Sequence, residues 1–417
     1  MEQAVLRTGG TTSRKPKIGL DILAYAVYCA LYPLDMAMNF SGSGTVSRMV
    51  GMVACGLSIF YILSNRDEKF LVKKILMFGL FPVYALISIL WSPTSSSGIS
   101  SLFSLVAMLI LLSARGMNER EKSLICWSMM LSTAVFSIWL GFQQEDFNNR
   151  AEIVTSGGST DPNGLAANLA VSLLITLDKW YKAKKHISKI LSFSIMIIII
   201  FGIMVTGSRG GAIAAIAGII FYIVLSLRGN ASEHGFEIQR FLIILALGVL
   251  VVIFLISYGA INPATIERMF ADDIAETGAN GRFESWGYYI DAAMESPFTI
   301  LFGHGYGSES WITLKAIGRS SGAHNVFIGH FATTGIIGLL LMCIPIVMLL
   351  RKTFKNHDAL ACSLLLVVLI TCLSLDFYLN KGLWNVFLLA FIGMKAVENH
   401  EGGETDAGVL RVQFGRY

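Results

Sequence analysis

Charge is what this 417-residue sequence has least of: Asp, Glu, Lys and Arg together make up 14%, against 54% hydrophobic residues. Soluble domains carry about 25% charged residues, so the deficit excludes an ordinary solvated globule. The mean hydropathy of +0.64 agrees. Cysteine is scarce as well. Cys29, Cys55, Cys126, Cys343, Cys362 and Cys372 all lie inside apolar runs without metal-ligand spacing, which argues against disulfides and a zinc site alike. No cleavable signal peptide is expected, because residues 1–17 are polar and basic and the apolar run after them reads as a retained span. Internal repeats and low-complexity tracts are not found, the net charge of +4 is small, and no nucleic-acid partner is expected.

Long hydrophobic runs are what the chain has instead. A helix needs at least about 17 mostly apolar residues to cross the hydrocarbon core. That ruler predicts an all-α polytopic membrane protein of about 12 spans. They fall near 19–38, 46–64, 71–91, 99–114, 123–142 and 163–178, then near 188–206, 210–227, 241–260, 324–350, 358–376 and 383–397. The span at 163–178 is the least apolar. Residues 1–18 form a basic tail, 398–417 a second tail, and 261–323 one large loop between the ninth and tenth spans. Within that loop 263–270 and 281–294 have helix-like apolar spacing and read as short helices lying on the outer face rather than as spans.

The positive residues orient this scheme. With both termini cytoplasmic, 24 of the 32 Lys and Arg fall inside. The outside keeps Arg48, Arg150, Arg209, Arg268, Arg282, Lys315, Arg319 and Lys381. The large loop is then external. The outer segment 143–163 ends in a turn where Asp161 or Ser159 would cap the next helix, with Pro162 in its first turn.

Three outer stretches hold residue types suited to chemistry. In Thr206-Gly207-Ser208-Arg209-Gly210-Gly211, Arg209 opens a helix, where free N–H groups and the dipole favour an anion and glycines admit close approach. An arginine there suits a pyrophosphate or carboxylate. Equally, it is an interfacial arginine snorkelling toward headgroups. Arg282, in Gly281-Arg282-Phe283-Glu284-Ser285-Trp286, would share a helix face with Trp286; its plain alternative is a surface ion pair with Glu284. His324, in Ala323-His324-Asn325, sits at a helix start that favours the neutral imidazole, which can act as a base near pH 7. His304 is external and competes with it. Inside a span, His330 lies on another helical face.

These three stretches, with Gly335 closing the last, resemble the signature of the O-antigen ligase/Wzy-type polymerase superfamily. Within it the chain is similar to exopolysaccharide polymerases of the ExoQ kind. The resemblance implies a bacterial inner-membrane glycosyltransferase of GT-C-like architecture with its active site facing the periplasm. It implies a donor saccharide on undecaprenyl pyrophosphate, with Arg209 and Arg282 holding the pyrophosphate and His324 taking a proton from the acceptor hydroxyl. Further candidate substrate contacts are Asn163, Lys315, Arg319 and Asn325. No cofactor is expected, and metal independence is predicted, since Asp272-Asp273 is poorly spaced for a metal. A chain-length regulator is an expected partner beside the membrane lipid. Two other readings stay open: a ligase that moves finished glycan to lipid A core or another acceptor, and a lipid-oligosaccharide flippase. A flippase would be indifferent to His324→Ala; the enzyme would not.

Overall fold

The computed structural model describes residues 18–35, 46–64, 68–94, 99, 102, 105–106, 117–142, 146–147, 150–151, 154–155, 158–159, 161–228, 257, 267, 278–375 and 384–390. The predicted spans at 99–114 and 241–260, the segment 263–270, Asp272-Asp273 and both tails fall wholly or mostly outside these residues.

The described chain is built of helices: α1 (Leu20–Asp35), α2 (Val46–Ser64), α3 (Glu68–Ser88, extended by a 3₁₀ turn, Ile89–Trp91), α4 (Glu119–Phe142), α5 (Pro162–Lys182), α6 (His186–Val205), α7 (Arg209–Arg228), α8 (Gly278–Ala293), α9 (Pro297–Phe302), α10 (Glu309–Ile317), α11 (Val326–Lys355) and α12 (Ala359–Cys372). Residues 384–390 are helical too. Two antiparallel ladders of two-residue strands, Asp146–Phe147 with Arg150–Ala151 and Val154–Thr155 with Gly158–Ser159, are the only extended pairing among the described residues. Hydropathy gave no hint of them. Among the described residues four helices, α4, α6, α7 and α11, are long and apolar enough to cross a membrane. Apolar stretches of α1, α2, α3 and α12 are shorter.

α5 explains its own weak hydropathy. It packs against α6, α7 and α12, and residues 165–178 are buried. Its polar side chains face protein rather than lipid and are satisfied there: Asn168 donates to the Gly164 carbonyl (2.9 Å), Thr176 to Ser172 (2.7 Å), and Asp178 accepts from Tyr222 on α7 (3.0 Å). A buried central helix needs small residues more than greasy ones. Gly211 shows this, since a Cβ there would collide with Ala166 of α5.

The apolar run that begins at 324 is not one straight rod. α11 is broken at Gly335 (φ 65°, ψ −174°). Cys362 of α12 touches Thr353 of α11 (3.3 Å), and Asn325 bonds to the carbonyl of Leu373 (3.2 Å). In a straight α11, Asn325 would stand about 42 Å from Thr353, whereas Leu373 is only about 17 Å along α12 from Cys362. The half-helix 326–334 therefore turns back across the end of the bundle. The crossing is a backbone-to-backbone contact, for a Cβ on Gly335 would strike Leu301 and Phe302, and one on Gly303 would strike Thr333 and Thr334. Tyr84 of α3 donates to the carbonyls of Thr334 (2.8 Å) and Phe302 (3.2 Å), and the amide of His304 donates to the Ala332 carbonyl (3.0 Å). The break thus leaves these carbonyls bonded, as membrane depth demands.

One face of this half-helix joins the main core through Val326 and Phe327. Its other face, with Ile328, Phe331 and Ala332, packs into a small second core with Tyr289, Ala293, Ile312 and Ala323. α8, α9 and α10 form a cap over it.

Candidate functional site

Hydrogen bonds between helix ends draw the motifs together. Asp161 caps α5, accepting from the amide of Asn163 (3.0 Å), with Pro162 in the first turn as the sequence suggests. The Asn163 side chain donates to Asp161 (3.0 Å), and its carbonyl oxygen accepts from the Ser208 hydroxyl (2.9 Å). Ser208 in turn accepts from the amide of Gly211 (3.2 Å), so it caps α7. Arg209 is the first residue of that helix. A Cβ on the next residue, Gly210, would lie 3.1 Å from the Ser374 hydroxyl just past α12. Beside Ser374, the Leu373 carbonyl accepts from Asn325. Asn325 caps α11, accepting from the amides of Phe327 (3.0 Å) and Ile328 (3.1 Å). Three helix N-termini, those of α5, α7 and α11, thereby meet beside the end of α12. Their dipoles add positive potential where Arg209 already stands.

His324 precedes the Asn325 cap. Its own side chain is exposed and its backbone is left-handed (φ 49°), while the residues on either side are buried. Non-glycine residues in that region are uncommon, although His tolerates it better than most. The neighbours fix it. The Ala323 carbonyl accepts from the Trp286 indole (2.9 Å), that of Gly322 from Ser285 (3.2 Å), and that of Ser321 from Tyr289 (2.9 Å). All three donors lie on α8 at the spacing of one helix face, and Arg282, three residues before Ser285 and four before Trp286, shares it. Arg282 is half-buried. The face-sharing of Arg282 and Trp286 read from the sequence is thus what the helix presents to the segment leading into His324.

The remaining candidates separate. Asn163 and Asn325 belong to the junction, but their amides are engaged in caps and cross-helix bonds. Lys315 is drawn elsewhere: it pairs with Glu295 (3.2 Å) and lies over the Trp311 ring (5.1 Å from the centroid). His304 shares that cluster, its Nε2 donating to the Ala292 carbonyl (2.9 Å), 3.5 Å from Glu295 and with its ring against Trp311. That histidine ties the end of α9 to the end of α8. Arg319 is exposed, just beyond the left-handed Gly318 that ends α10. It lies within electrostatic reach of Tyr288, whose phenol is pushed above its ordinary range chiefly by the bond it donates to Glu284 (2.5 Å). His330 is buried against Phe81 and Tyr306 inside the bundle. Among the described residues no three His, Cys, Asp or Glu side chains gather as ligands of a metal would.

Sequence reasoning passed over Ser208, Ser374 and the carbonyl of Leu373. Ser208 lies within a motif it had singled out, and a serine before a helix is a readable cap. Leu373 and Ser374 carry no sequence signal, because only tertiary packing brings the end of α12 to the junction.

A helical membrane protein with its arginine and histidine motifs gathered at one end of the bundle is the class these observations define. Residues 193–343 match the family model of O-antigen ligase, a stretch that contains Arg209, Arg282 and His324. The match supports a likeness of this part of the chain to the O-antigen ligase/Wzy-type polymerase superfamily, and with it a function of the ligase or polymerase type. No curated protein matches the chain.

Proposed function

We propose that the protein is a glycosyltransferase that polymerises oligosaccharide repeat units carried on undecaprenyl pyrophosphate, at the periplasmic face of the bacterial inner membrane. The observation that carries this reading is the junction of three helix N-termini around Arg209, one residue from the bonded Ser208 and close to the cap that follows His324. Such a place suits a pyrophosphate, and the exposed imidazole beside it suits an incoming hydroxyl.

In this reading His324 takes the proton of the acceptor hydroxyl. The oxygen attacks the anomeric carbon from the face opposite the pyrophosphate, and the carbon–oxygen bond to phosphate breaks. Undecaprenyl pyrophosphate leaves with the electron pair, and the anomeric configuration inverts. Arg209 and Arg282 stabilise the charge that grows on the leaving group, as preorganised donors do in other transfer reactions. No metal is assigned a part. A second reading, transfer of finished glycan to lipid A core or another acceptor, is favoured by the description of the matched family as O-antigen ligase.

The test is an assay of the purified protein with undecaprenyl-pyrophosphate-linked repeat units and a chelator, with products resolved on a gel. A ladder that His324→Ala abolishes supports the polymerase. A single shifted product that needs a second acceptor supports the ligase. If wild type consumes no donor while membranes from the same cells do, neither enzyme reading survives, and transport across vesicles becomes the question.

A further inference from the structure

α8 is polar enough in sequence to pass for a solvent helix, yet its sides are unlike. Ser285, Trp286, Tyr289 and Ala293 face inward to the cap core and the segment before His324. Glu284, Tyr288, Asp291 and Glu295 recur at spacings of four, three and four residues along one flank. Phe283, Ile290 and Met294 recur at seven and four along the other, and they are 58, 38 and 62% exposed. Helical periodicity makes each set a stripe. The apolar stripe continues into α9, where Phe298 and Leu301 are 52 and 45% exposed.

What covers this stripe is indicated by what it adjoins. The Trp91 ring at the end of α3 packs on Phe298 (6.0 Å) and Phe302 (6.3 Å), and its indole donates to the Gly303 carbonyl (3.2 Å). Below Trp91, α3 presents Val83, Leu86, Ile87 and Leu90 outward, an apolar surface of a membrane helix. Tyr84, about 10 Å down that helix from Trp91, still bonds Phe302. The end of α9 therefore dips to the level of an apolar, outward-facing stretch of α3, and its exposed side chains extend the same surface. Tryptophan with its ring among apolar groups and its N–H on a carbonyl is typical of the membrane interface.

We propose that α8 and α9 are a membrane-interfacial element, with Phe283, Ile290, Met294, Phe298 and Leu301 seated in the lipid of the leaflet at the motif end of the bundle. The flank of Glu284 and Asp291 faces water. The segment leading into His324 is clasped by this same α8, so the cap is held at headgroup level by lipid.

Its test is site-directed quenching on the full-length protein in nanodiscs of phosphatidylethanolamine and phosphatidylglycerol. Bimane is attached at Ile290→Cys, Met294→Cys, Glu284→Cys or Asp291→Cys. The native cysteines of the described chain, all buried or half-buried, resist a water-soluble maleimide. Phospholipid bearing a nitroxide near the glycerol is expected to quench positions 290 and 294 several-fold more than 284 and 291, with aqueous iodide giving the reverse order. Equal iodide quenching at all four positions overturns the proposal. Protection of 290 and 294 from both quenchers overturns it too, because the stripe would then be covered by protein.

Discussion

At His324 the chain fixes the backbone while the side chain stays exposed. Ala323 is held through its carbonyl by Trp286, and Asn325 is held by two amides and Leu373. In the reading proposed above His324 is a general base, which must be placed to within a hydrogen bond of its proton, and the held neighbours would place it. Replacement of His324 by Gln, which keeps size and polarity, is expected to lower turnover by about 10²–10⁴-fold with little change in melting temperature. Single-turnover assays beside a thermal melt check this, and retention of full turnover would remove His324 from the chemistry. Arg209 asks a different question, because a planar fork and a point charge bind phosphates differently. Arg209→Lys keeps the charge at the head of α7 but loses the two-pronged contact, so kcat/KM should fall by about ten- to a hundredfold. Equality of Lys with Arg would mean that only the charge counts there.

Among the elements, α5 and α11 show where sequence could and could not speak. The start of α5 was legible, since Asp before Pro is a local signal and local geometry honours it. The helix at 281–294 was legible as well and is found as α8, starting slightly earlier, at Gly278. The break in α11 was not, because the apolar run passes through Gly335 without interruption, and its cause lies on α9 and α3. Only the facing backbones of Gly303 and Gly335, with Tyr84 on the carbonyls, make the left-handed turn stable. Gly335→Ala adds a Cβ at φ 65° against the backbone of Leu301 and Phe302, so it should destabilise by at least about 2 kcal/mol. A melt of the purified variant measures it. A wild-type midpoint would mean that the two segments separate easily. The Asn163–Ser208 bond offers a milder case. Ser208→Ala removes the cap of α7 and should cost about 1 kcal/mol, with the larger loss in donor affinity, because Arg209 stands on that first turn.

Over the whole molecule the helix directions sort the charges. Lys179 and Lys182 end α5, Lys184 and Lys185 lie in its turn to α6, and Lys189 follows in the first turn of α6. Asp358 at the start of α12 and Glu119 at the start of α4 lie within electrostatic reach of Lys182, and Lys179 donates to Ser123 on α4 (2.9 Å). Gly19, just before α1, meets Glu121 at the same end (3.4 Å). Arg351, Lys352 and Lys355 close α11 there too. Arg209, Arg282 and His324 lie at the other end. The charge asymmetry read along the sequence is therefore a spatial one in the described helices, and lysine-rich ends stay in the cytoplasm during insertion. A water-soluble maleimide that reaches the periplasm of intact cells should accordingly label Arg319→Cys and leave Lys184→Cys unlabelled until the membrane is opened. Both positions are exposed, so labelling reports sidedness rather than burial. Labelling of Lys184→Cys in intact cells would invert the molecule, bring His324 to the cytoplasmic leaflet, and remove the periplasmic donor from its reach.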